Sequence, residues 1–116
     1  MPFQSWTPGV ISGPVTITPG PLNVAGNADV TAAGSGLRVA EGANAKQGTA
    51  VLVAGTVTVA DTAVTANSRI LLTSQVDGGT PGFVRVSARV AGTSFTITSS
   101  SATDTSTVAY EIFEPG

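Results

Sequence analysis

Seven carboxylates are the side chains in this sequence best suited to chemistry: Asp29, Glu41, Asp61, Asp77, Asp104, Glu111 and Glu114. They have few helpers. The chain holds no His and no Cys. That removes the commonest general base, the commonest transition-metal ligand, thiolate metal sites and disulfides. Glycoside hydrolysis needs two carboxylates facing each other across a sugar. Glu111 and Glu114 are three apart at a strand end, so a continued strand puts them on opposite faces. Asp61, Asp77 and Asp104 fall in turn-like stretches, where Asp hydrogen-bonds its own backbone. A calcium site needs several clustered oxygen ligands, and Asp77-Gly78-Gly79 supplies one carboxylate. Gly34-Ser35-Gly36 lacks the strand and helix that frame a nucleotide loop. The residues therefore read as non-enzymatic, with no catalytic, cofactor-binding or metal-binding set and no cofactor.

Charge narrows the partners. Net charge is −2, and the five basic residues Arg38, Lys46, Arg69, Arg85 and Arg89 are scattered. Nucleic-acid binders carry a basic stripe, because phosphate neutralisation dominates their affinity. Arg85 and Arg89, four apart on one expected strand, are not such a stripe, so no nucleic-acid partner is expected. No run approaches 18 apolar residues, so no membrane-spanning helix is expected. The start, MPFQSWTPG, lacks the basic and apolar regions of a signal peptide.

Charged residues make up 10% and aromatics 5% of the chain, against a usual charged share of about 25%. Thr, Ser, Ala, Gly and Val fill the difference. Charge normally keeps monomers apart. Hydroxyl-rich, uncharged faces suit a protein whose surface meets other protein, and copies of itself first.

The elements that must position these residues follow from periodicity. From Gly48 onward, apolar residues alternate with Thr, Ser or Arg and break at small turn residues, the pattern of strands with one wet face. Strands are expected at Lys46–Val53, Thr56–Val59, Arg69–Ser74, Phe83–Ala91, Ser94–Ser99 and Thr107–Phe113, with a short Val64-Thr65 piece. On the fourth, Val84, Val86, Ala88 and Val90 are expected inward and Arg85, Ser87 and Arg89 outward. Phe95 and Ile97 are also expected inward, and Val108, Tyr110 and Ile112 are expected on one face of the last strand, with Ala109, Glu111 and Phe113 on the other. Gly92-Thr93 suggests a two-residue hairpin loop, and the run from Asp77 to Gly82 reads as a loop. The fold class is all-β: a small antiparallel β-sandwich or barrel.

Residues 1–47 differ and read as an extended Pro/Gly-rich N-terminal arm ahead of a β domain at 48–116. Pro8, Pro14, Pro19 and Pro21, each beside a Gly, rule out a regular helix. Val15–Thr18 is expected as a short alternating strand. Between Pro21 and Asn44 the apolar residues are too sparse to offset backbone ordering, which costs about 1–2 kcal/mol per residue, so this part must lie on something or be wound with copies of itself, or else it is disordered. Phe3 and Trp6 either pack back on the same chain or anchor the arm on a partner, as buried aromatics commonly do at interfaces; on the second reading Phe3, Trp6, Val10 and Ile11 are the partner-binding residues.

The run from Gly36 to Pro115 resembles a C-terminal domain that recurs in structural proteins of tailed bacteriophages. The matching pieces are GLRVAEGANAKQGTAVLVAGTVTV, DTAVTANSRILLTSQ and VSARVAGTSFTITSSSATDTSTVAYEIFEP. The resemblance implies a virion protein, commonly a homotrimer. With only about 47 residues ahead of the domain, a capsid decoration or head-fibre protein is expected on the capsid surface. Its arm would bind the major capsid protein or another virion protein, and its trimeric domain would project outward. The alternative is the receptor-binding or adhesin tip of a tail fibre, with a host surface glycan as partner; Phe83, Tyr110 and Phe113 are the aromatics available for that.

Overall fold

Alternation of β-branched and hydroxyl residues becomes six strands: β1 (Gln47–Val51), β2 (Thr56–Ala60), β3 (Arg69–Val76), β4 (Val84–Val90), β5 (Ser94–Ser99) and β6 (Thr107–Phe113). The structure is a computed structural model and describes residues 13–116. Two three-stranded sheets form, in the orders β1-β6-β3 and β2-β5-β4, with every pair antiparallel. No helix occurs among the described residues. The fold class is the expected all-β sandwich.

The two central strands supply the core. β5 turns Phe95 and Ile97 inward, and β6 turns Val108, Tyr110 and Ile112 inward. Leu52 and Val64, from the connecting segments, complete the buried set. The Phe95 and Tyr110 rings meet edge to face across the sheets, with centroids 5.0 Å apart and planes at 73°. This is the geometry that aromatic quadrupoles favour. Half-buried residues of the outer strands, such as Ile70, Leu72, Val57 and Val86, flank this core.

The second half of β4 departs from simple alternation. The β4–β5 register shifts between Val86 and Ala88, so Val86 sits opposite Ile97 and Arg89 sits opposite Phe95. One extra residue in the strand moves everything after it to the other face. Val90, expected inward, is turned out and 53% exposed. Ala88 is exposed as well. Arg89, expected outward, takes the core-side position at the rim. Its guanidinium reaches solvent and donates from Nη1 to the Ser68 carbonyl at 2.6 Å. β3 carries a matching shift between Ser74 and Val76, which leaves Val76 opposite Thr107 on the outer face.

The β4–β5 turn and the β2–β3 loop differ from expectation in detail. The β4–β5 loop has three residues, Ala91 to Thr93, closed by Thr93 N–H donating to the Val90 carbonyl. Gly92 adopts φ +67° in its middle, so the turn centres on Ala91-Gly92 and not on Gly92-Thr93. Between β1 and β2, Val53 and Thr56 exchange both backbone hydrogen bonds around Ala54 (φ 51°) and Gly55 (φ 78°). Two positive φ values in a two-residue loop mark a type I′ turn. Val64 belongs to a turn and is buried, with no strand at Val64-Thr65.

The chain divides into two compact units between Gly36 and Leu37. In the first, residues 13–36 are exposed throughout and form no strand; the strand expected at Val15–Thr18 is absent, since no strand among the described residues pairs with it there.

Candidate functional site

The proposed partner-binding residues Phe3, Trp6, Val10 and Ile11 lie outside the described residues. The site is therefore built from the sandwich, whose two ends and two outer faces differ.

One end gathers the start of β1, the β2–β3 loop, the β4–β5 turn and the residues after β6. Glu114 is its centre. Thr65 Oγ1 donates to its carboxylate at 2.6 Å, and Ser68 Oγ lies 2.7 and 2.8 Å from its two oxygens. Lys46 Nζ stands 3.5 Å away and donates to the Ala63 carbonyl at 2.8 Å. The Thr65 and Ser68 hydrogen bonds, helped by Lys46, hold the Glu114 carboxyl below the usual carboxylate range. Ile112 N–H donates to the Lys46 carbonyl at 2.7 Å. Where the chain enters β1 is thus tied to where it leaves β6.

The opposite end joins the β1–β2 turn, the 77–83 segment and the 100–106 loop. Asp104 organises it. Its Oδ1 accepts from Ser106 N–H at 2.9 Å, while Oδ2 accepts from Gly82 N–H at 2.9 Å and Ser99 Oγ at 2.6 Å. These hydrogen bonds, the Ser106 ones foremost, hold its carboxyl far below the usual range in spite of burial. Thr105 N–H donates to the Gly78 carbonyl, and Thr80 N–H to that of Thr103. Gly79, at φ +60°, packs against the Thr103 backbone with no room for a Cβ. The expected loop is therefore zipped to its neighbour. It presents Phe83, whose N–H donates to Ser100 Oγ and whose carbonyl accepts from Ser100 N–H, each at 2.8 Å. The Phe83 side chain is 88% exposed.

The outer faces contrast. On the β2-β5-β4 sheet, hydroxyls satisfy one another: Thr58 with Thr96 at 3.1 Å and Ser87 with Thr98 at 2.7 Å. The outer face of the β1-β6-β3 sheet mixes Leu71, Val51, Val76 and Phe113 with Arg69 and Glu111. A shallow open depression runs across it between Leu71, Gln75 and Phe113.

The carboxylates do not converge. Glu111 lies on that outer face beside Leu71 and Gln47, away from the Glu114 cluster at the strand ends. Asp61 and Asp104 make the expected turn hydrogen bonds, to Ala63 N–H and Ser106 N–H. Asp61 is fully buried, and its Oδ2 has no partner. Among the described residues no three of His, Cys, Asp and Glu group as metal ligands. Sequence reasoning missed the reach of Asp104 to Gly82 and Ser99, and the grip of Thr65 and Ser68 on Glu114. Both depend on segments far apart in the chain, and neither leaves a local spacing.

No curated protein matches the chain. The model of the K1 capsule-specific polysaccharide lyase, C-terminal domain, matches residues 44–113. That range is more than half of the chain and contains all six strands. The chain therefore belongs to the family of the K1 capsule-specific polysaccharide lyase C-terminal domain, a phage appendage-type β domain.

Proposed function

We propose that this chain is a non-catalytic phage virion protein, a capsid decoration or head-fibre protein. Its N-terminal arm, through Phe3, Trp6, Val10 and Ile11, holds the capsid shell, and its β domain projects from it as a homotrimer. The observation that supports this reading is the placement of chain entry and chain exit at one end of the sandwich, joined through Lys46 and Glu114. A domain held from that end leaves the Asp104 end free. Three linked arms raise effective concentration at the shell without any stronger single contact. The test is deletion of residues 1–20. Truncated protein should stay folded and trimeric yet fail to coat particles that lack the native protein; coating by the truncated protein sinks the arm reading.

Phe83 favours a second reading, the receptor-binding tip of a tail fibre. A large apolar side chain, 88% exposed on a backbone held at both polar groups, is suited to contact with a partner. The family's name refers to a capsule polysaccharide, so a host surface glycan is the ligand class to try first. Binding of full-length protein to a glycan array, lost in Phe83→Ala, supports this reading; an array without signal removes it. Immunogold labelling of intact particles separates head from tail.

A further inference from the structure

Within residues 37–116, nothing covers the outer face of the β1-β6-β3 sheet. Leu71 is 61% and Phe113 50% exposed on it, and Val51 and Val76 flank the same face at the far end of the strands. The other sheet differs in its centre, where hydroxyls pair with one another, and its exposed Val90, Ala88 and Arg85 include no anion to match the cation.

Two charges choose the occupant. Arg69 pairs across the strands with Phe113, and Glu111 pairs with Leu71, one row along on the same face. They form no ion pair with each other; the one ion pair among the described residues is Lys46–Glu114. A face that carries an unpaired cation, an unpaired anion and aliphatic residues between them is complementary to itself. Opposite potentials that meet across an interface fix register and suppress wrong partners. An anionic ligand would answer Arg69 and leave Glu111 opposed. A second copy answers both.

We propose that this face is where copies of the chain meet, with Leu71 and Phe113 buried at the contact and Arg69 of one copy facing Glu111 of the next. This rests on the reading of the chain as a self-associating appendage and names the surface that does it. Residues 13–44 are exposed throughout as well, Leu22 and Leu37 among them.

The test compares full-length wild type with Leu71→Glu, with Thr58→Glu on the other sheet as control, by light scattering across a dilution series. Circular dichroism checks that each is folded. Leu71→Glu should raise the dissociation constant at least about tenfold, the scale expected when a buried interface contact is lost. Thr58→Glu should not. Arg69→Glu and Glu111→Arg should each weaken assembly, and the double swap should restore it. A wild-type oligomer that is indifferent to Leu71→Glu and to both charge reversals overturns this face while self-association stands. A wild type that stays monomeric overturns both.

Discussion

Ser99 Oγ donates to Asp104 Oδ2 at 2.6 Å, and both residues are buried. The same carboxylate takes the backbone N–H groups of Gly82 and Ser106. One side chain therefore joins the end of β5, the segment before β4 and the approach to β6. Replacing it with Ala would strand those donors in the interior, where an unmet donor is costly. We expect Asp104→Ala to lower the melting temperature more than Asp77→Ala, whose site is an exposed loop. Thermal scans of the two variants check this.

The pH dependence follows from the same group. Its carboxyl lies below its unfolded value of about 4, so its stabilising effect is complete above that value and is lost as pH falls through its folded one. Glu114 is shifted in the same direction. The melting temperature should stay level from about pH 8 to pH 5 and fall progressively below about pH 4. Asp104→Asn should lower the plateau and flatten the acid limb. An unchanged acid limb would remove Asp104 as its source.

Core truncations should scale with how completely each side chain is enclosed. Phe95 and Ile97 are fully buried. Phe95→Ala should cost about 3–5 kcal/mol and Ile97→Val about 0.5–1.5 kcal/mol. Against a typical total of about 5–15 kcal/mol, the first is a large share of the stability. Urea unfolding measures both.

Gly48 faces the Tyr110 ring across the β1–β6 pair. A Cβ there would lie 2.5 Å from the phenolic oxygen and 2.7 Å from the ring carbon that bears it. Gly48→Ala should therefore destabilise by about 1–3 kcal/mol, the usual cost of overpacking. Adding Tyr110→Phe should recover only part of this, because the ring carbon stays in place. Full recovery would assign the whole clash to the hydroxyl.

Val90 distinguishes the shifted register from plain alternation. It is 53% exposed, so Val90→Ser should change stability by no more than about 0.5 kcal/mol, as at an ordinary surface site. Had alternation continued, Val90 would be buried and its replacement would cost about 1 kcal/mol or more. Denaturant midpoints decide between them.

Much of the sandwich was legible because it follows from local period. Val108, Tyr110 and Ile112 share a face as their spacing of two requires, and Phe95 and Ile97 face inward as expected. β4 was legible only as far as Val86, since the extra residue that reverses Arg89 and Val90 carries no signal in side-chain type. The turn role of Asp104 could be read from its neighbours in sequence. Its hold on Gly82 could not, because the donor comes from another loop.

The sequence alone determined that the chain forms strands and not helices, which residues of the two central strands share a face, and that much of its surface carries hydroxyls in place of charge. Those properties depend on residues two to four positions apart, within reach of local sterics and patterning. Only the tertiary structure decided which strands are central, where register shifts, that Glu114 ties Lys46, Thr65 and Ser68 together, and that Leu71 shares an uncovered face with Arg69 and Glu111. Each of these needs strands far apart in sequence to pair, and pairing is settled by the whole core burying its apolar surface at once.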